Sequence, residues 1–126
     1  MTSPLDLLDL EQLLTDEERQ IRDVVRKLVD ARVRPHVADW YEAARLPARE
    51  LAVEFGKLGL LGMHLTGYGC PGASAVAYGL ACLELEAGDS GVRSLVSVQG
   101  SLAMYAIWRY GSEEQKQRWL PSMAAG

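Results

Sequence analysis

A chain of 126 residues is long enough for one domain with a hydrophobic core of its own. Hydrophobic residues make up 48% and charged residues 24%, with a net charge of −4, so the chain reads as a soluble globular protein; it has no basic face, which argues against nucleic acid as a partner. Cys70 and Cys82 lie far apart without CxxC or Cys–His spacing, which argues against a zinc site or disulfide framework and suits a reducing compartment.

Residues 1–14 read as an extended or loosely turned lead-in whose leucines could dock on the body. The stretch lacks the basic start and long apolar run of a signal peptide, and it has no arginine to suggest a transit peptide, so the expected location is cytoplasmic. Thr15 and Glu18 then form a capping box. Behind it, Ile21, Val24, Val25, Leu28 and Val29 give the apolar stripe of a helix. Pro35 should interrupt or restart that helix, because it lacks an N–H and clashes with the preceding turn. Val37, Trp40, Tyr41 and Ala44 continue an apolar stripe.

Pro47 suits the first turn of a third helix, with Leu51, Phe55 and Leu58 facing inward and Gly59 as its C-cap. Met63 to Leu83 carries no charged residue, but Gly67, Gly69, Pro71 and Gly72 break it before it could span a membrane. That glycine-rich segment is a loop with the wrong spacing for a phosphate-binding loop. A fourth helix runs from Ala73 to Ala87, ended by Gly88. Asp89 caps the next, which continues to about Tyr110. Gly111, Ser112 and Gln115 repeat the stop-and-cap punctuation, and a last short helix carries Trp119 and Leu120 before Pro121. With no strand pattern and no internal repeat, the expected fold is all-α, an orthogonal or up-down bundle of five to six helices.

The segment after Asp89 holds the most informative residues. From Ser90 to Trp108 the only charge is Arg93, in a helix apolar on nearly every side, the pattern of an enclosed element. Ser90, Ser94, Ser97 and Ser101 form a narrow hydroxyl stripe beside it. A guanidinium cannot be enclosed without an acceptor. Asp89, four residues before Arg93, offers a purely structural partner, and Glu84 and Glu86 are near in sequence. His36 and His64 are isolated from any carboxylate or second ligand, and Trp40, Trp108 and Trp119 read as core or interface aromatics.

Several stretches together carry a family likeness. They are Ser3-Pro-Leu-Asp6, Glu11-Gln-Leu-Leu-Thr-Asp-Glu17, Gly67-Tyr-Gly-Cys-Pro-Gly72, Ser74-Ala-Val-Ala-Tyr-Gly79, Asp89-Ser-Gly-Val-Arg-Ser94, Ser97-Val-Gln99 and the run from Tyr110 to Pro121. Along essentially its whole length the chain resembles the N-terminal α-helical domain of the acyl-CoA dehydrogenases, nearest their glutaryl-CoA dehydrogenase branch. The resemblance implies that Arg93, Ser94 and Ser97 bind the free carboxylate of a dicarboxylic acyl chain, with Glu86 arranging that end of the pocket. A guanidinium matches a carboxylate bidentately, which agrees. Val92, where the branch usually has tyrosine, and Gly100, where serine is common, depart from the pattern beside these residues and bear on which acyl group fits.

The resemblance further implies α,β-dehydrogenation of an acyl-CoA with FAD as cofactor, glutaryl-CoA as a possible substrate, electron-transfer flavoprotein as electron acceptor, and a homo-oligomer. No catalytic or cofactor-binding residue carries over: the family's base and most flavin contacts belong to a middle β-domain and a C-terminal helical domain, which lie outside residues 1–126. The 126 residues alone are expected to bind neither FAD nor CoA firmly and not to turn over. Two expectations separate an enzyme domain from a non-catalytic helical interaction module. The enzyme reading has Arg93 facing a cavity and Met63, Tyr68, Leu95, Val98 and Leu102 more exposed than their chemistry suggests. The module reading has Arg93 exposed or paired internally with Asp89 or Glu86.

Overall fold

The computed structural model describes residues 8–126. The helices are α1 (Asp16–Arg32), α2 (Val37–Glu42), α3 (Ala48–Lys57), α4 (Ala75–Gly88), α5 (Ser90–Ser97), α6 (Tyr105–Tyr110) and α7 (Glu113–Ala125), with a π-helical stretch, Val98–Met104, joining α5 to α6 without a break. The all-α expectation holds. The described part of the lead-in is turned rather than extended, with a 3-10 turn at Leu10–Leu13; Leu8 and Leu13 stay exposed instead of docking. The expectations placed on residues 1–7 lie outside the described residues.

Local chemistry sets most boundaries. Thr15 accepts from the Glu18 N–H while Glu18 reaches back to the Thr15 N–H, which closes the capping box of α1. The helix stops at Arg32, and after a turn containing Pro35 the chain restarts as α2. Gly59 takes a positive φ of 69° just past α3, a conformation that favours glycine. Ser74 caps α4, Asp89 caps α5, and Ser112 with Gln115 closes a second capping box at α7.

The core gathers Val25 and Val29 of α1 with Val33 just past its end, Phe55 of α3, Leu61 and Leu65, Leu85 of α4, Val92 and Val96 of α5, Met104 and Leu120, each at most 2% exposed. The α1 and α4 helices approach so closely that a Cβ on Gly88 would stand 2.5 Å from a Val29 methyl. Beside this interface Arg26 grips Glu84 with two hydrogen bonds of 3.0 and 2.7 Å. Burial of Glu84 is therefore compensated by a charge-assisted pair.

Four expectations need correction. A short antiparallel ladder pairs Thr66 with Pro71 and Gly67 with Cys70 around Tyr68 and Gly69, whose φ values are both positive. Two residues per strand leave no alternation for a sequence to display. Tyr68 is held in this turn by donating to Glu113 at 2.8 Å, and Trp108 Nε1 donates to the Thr66 carbonyl at 2.9 Å. Second, Pro121 does not end the last helix but lies inside α7. Buried Leu120 and Ala124 on either side of it hold the helix against the body, outweighing the hydrogen bond that proline removes. Third, two residues expected to face inward do not: Tyr41 is 86% exposed and leaves the α2 stripe to Val37 and Trp40, and Leu58, past the end of α3, is 46% exposed. Fourth, the apolar helix after Asp89 is not enclosed: Val92 and Val96 face the core, while Val98 and Leu102 are 53% and 67% exposed.

Candidate functional site

The α4 and α5 helices run back alongside each other from the tight break at Gly88 and Asp89. On α4 the residues Tyr78, Cys82 and Glu86 fall four apart, hence on one face. On α5 and its continuation, Arg93, Ser97 and Ser101 do the same. The two rows meet as a polar seam. At one end Arg93 Nε donates to Glu86 Oε2 at 2.6 Å, and at the other Tyr78 and Ser101 share a hydroxyl hydrogen bond of 2.6 Å.

The anchor end is built in layers. Glu86 Oε1 accepts from Ser90 Oγ at 2.6 Å, so both of its oxygens are engaged. Arg93 Nη1 donates to Ser97 Oγ at 3.0 Å, and Ser97 Oγ donates to the Ser94 carbonyl at 3.3 Å. Nη2 of Arg93 has no partner among the described residues. The Arg93 and Ser90 donors hold the Glu86 carboxyl below its ordinary 4.5. The same bond raises the Arg93 guanidinium above its usual value. Burial pushes the neighbouring Tyr78 and Cys82 upward.

Of the four residues singled out in the sequence, Glu86, Arg93 and Ser97 are joined through their side chains while Ser94 takes part only through its backbone carbonyl, and the group does not lie inside a cavity. Side-chain exposures of 34% for Arg93 and 47% for Glu86 place the pair at an open surface. Asp89 is not the partner of Arg93, because its Oδ1 accepts from the Val92 N–H at 2.9 Å as the α5 cap. Of the apolar residues expected to be bare, Val98 and Leu102 are exposed, Tyr68 and Leu95 are half-buried, and Met63 is buried at 4%. Met63 differs because it belongs to the hydrophobic core, and its carbonyl accepts from the Ala73 N–H at 2.7 Å. The pairing with Glu86 is the one geometric feature expected of the module reading; the bare face is the one expected of the enzyme reading.

Val92 is fully buried in the core, and buried Gly100 packs on the backbone of Gly62. Tyr78 and Cys82 are the seam residues that the sequence reading passed over. Their signal was available as the spacing of four that leads up to Glu86, mirrored across the Gly88–Asp89 break by Arg93, Ser97 and Ser101. A groove of about 370 Å³ lies elsewhere, between α1 and the segment Leu58–Ala73. It offers only Glu17 and Gln20 as polar side chains and none of the seam residues.

The family model described as acyl-CoA dehydrogenase, N-terminal domain, matches residues 15–126. The chain belongs to the acyl-CoA dehydrogenase family. A crystal structure of glutaryl-CoA dehydrogenase from Mycobacterium smegmatis superposes with a TM-score of 0.94 at 68% identity, over 99% of this chain and 32% of that one. A second, glutaryl-CoA dehydrogenase from the same organism in complex with FADH2, gives 0.95 at 62% identity over the same shares. The short/branched chain specific acyl-CoA dehydrogenase of Bos taurus mitochondria is 34% identical over 114 residues, 90% of this chain and 26% of the bovine protein. The chain therefore spans about a third or less of these acyl-CoA dehydrogenases, corresponding to the N-terminal domain.

Proposed function

We propose that this domain forms one wall of the acyl pocket in an FAD-dependent acyl-CoA dehydrogenase that oxidises a dicarboxylic acyl-CoA, glutaryl-CoA in the first instance, at its Cα–Cβ bond. Arg93 binds the free carboxylate, Ser94 and Ser97 flank it, and Glu86 holds the guanidinium in place. The observation that carries this reading is the bonding of Arg93. Nε goes to Glu86 and Nη1 to Ser97, leaving Nη2 with no described partner on an open face beside exposed Val98 and Leu102. A planar cation braced on two sides, with apolar surface next to it, suits a carboxylate carried on methylenes.

FAD, when bound, accepts the hydride leaving the β carbon. The resemblance to the acyl-CoA dehydrogenases assigns the flavin and the base that takes the α proton to parts of the enzyme outside residues 1–126. The glutaryl-CoA dehydrogenase crystallised with FADH2 supports that cofactor. Electron-transfer flavoprotein as electron acceptor, a homo-oligomeric assembly and a cytoplasmic location belong to the same proposal. Among the described residues no helix is long and apolar enough to cross a membrane.

Arg93→Ala in a full-length enzyme carrying this domain tests the assignment. Loss of charge-assisted hydrogen bonds of about 1.5–3 kcal/mol should weaken glutaryl-CoA roughly 10- to 100-fold. Butyryl-CoA, without the carboxylate, should bind as before. An equal loss for both thioesters would refute the anchor.

A further inference from the structure

The polar seam does not end at the anchor. We infer that the Tyr78–Ser101 hydroxyl pair at its far end is a second ligand contact, one that receives the first amide of the pantetheine arm of a CoA thioester. The inference rests on the reading of Arg93 as the carboxylate anchor. Ser101 lies eight positions beyond Arg93 along α5 and its continuation, roughly 12 Å at the helical rise per residue, longer than a glutaryl chain. A ligand held at Arg93 and lying along this face therefore reaches Ser101 with atoms beyond its acyl group.

Direction follows from the surroundings. On the Ser101 side of Arg93 the surface is apolar, with Val98 and Leu102 half or more exposed, which suits methylenes. On the other side lie Glu86, Ser90 and the Gly88–Asp89 break. The chemistry of the pair fits an amide. One hydroxyl hydrogen is spent between Tyr78 and Ser101, leaving one O–H donor and acceptor lone pairs, the complement of an N–H and a C=O. Tyr78 is also held in place, its ring stacked on that of His64 at 4.5 Å between centroids. Nδ1 of the same His64 is buried with no hydrogen-bond partner among the described residues.

The test uses the full-length enzyme with Tyr78→Phe and Ser101→Ala, separately and together. Tyr78→Phe keeps the ring stacked on His64, and an unchanged flavin spectrum checks that the fold survives. KM should rise about tenfold in the double variant for glutaryl-CoA and butyryl-CoA alike, since both carry the amide. It should not change for the S-ethyl thioester of glutarate, which lacks the amide. An unchanged KM for the CoA thioesters would overturn the inference, and so would an equal rise for the S-ethyl thioester, which would mark a structural role. Failure of the anchor reading shows separately, as a loss of both CoA thioesters in Arg93→Ala.

Discussion

Two glycines inside helices should respond in opposite ways to alanine. Gly100 sits buried in the π-helical stretch, where a Cβ would stand 2.9 Å from the Gly62 N and 3.1 Å from its Cα. Both atoms are backbone. Gly62 is itself closely surrounded, since a Cβ built on it would stand 2.6 Å from the Met104 methyl. Overpacking of this kind costs about 1–3 kcal/mol, against about 1 kcal/mol that alanine gains over glycine in a helix interior. Packing wins, and Gly100→Ala should destabilise the domain by up to about 2 kcal/mol. Gly79, exposed on α4, has nothing within 4 Å of its Cβ position. There only propensity acts, and Gly79→Ala should stabilise by roughly 0.5–1 kcal/mol. Urea unfolding of the two variants beside the parent reads both signs. A stabilised Gly100→Ala would refute the close packing of the π-helical stretch on Gly62.

Removing Arg26 should strand the Glu84 carboxylate, whose side chain is only 5% exposed; because Arg26 itself is 43% exposed, Arg26→Ala should cost about 2 kcal/mol rather than the larger loss of a fully buried pair. Leu120→Ala should cost about 2–5 kcal/mol, and a loss well below that in urea unfolding would contradict the docking of α7 through its proline. Glu86, Glu113 and Glu54 are held below the ordinary 4.5, chiefly by bonds from Arg93, Tyr68 and Arg32. A folded value below the unfolded one means stability that is present above that ordinary value and lost as pH falls through the folded values, so the urea midpoint should drop between about pH 5 and pH 3. Burial likewise holds His64 below 6.5, so stability should rise with pH across the window just below that value, and His64→Gln should flatten the rise.

Much of the fold was legible because helix ends are decided within a turn or so of chain. The capping boxes at Thr15 and Ser112, the Asp89 cap and the positive φ of Gly59 all need only neighbours in sequence. What could not be read depends on distant contacts. Nothing around Pro121 in sequence says that α3 waits to hold Leu120 and Ala124. Nor can a helix apolar on every side state which side is covered, since Val92 and Val98 are the same residue type with opposite fates.

The site shows the same division at closer range. Arg93 stood out as a lone charge among apolar residues, and the four-residue rule offered Asp89 as its partner. That rule assumes an unbroken helix on both sides of the pair. Asp89 instead stands at the break, where its carboxylate meets the free N–H groups of the first turn of α5. With Asp89 engaged, the next acceptor comes from the preceding helix, and the reversal at Gly88 brings Glu86 to Arg93 across seven positions of sequence. The ion pair therefore joins two helices instead of bracing one. Its geometry depends on the angle at which α4 meets α5, and buried Leu85, Val92 and Val96 between them help set that angle. A substitution that repacks Leu85, Val92 or Val96 should therefore misplace the guanidinium without touching it.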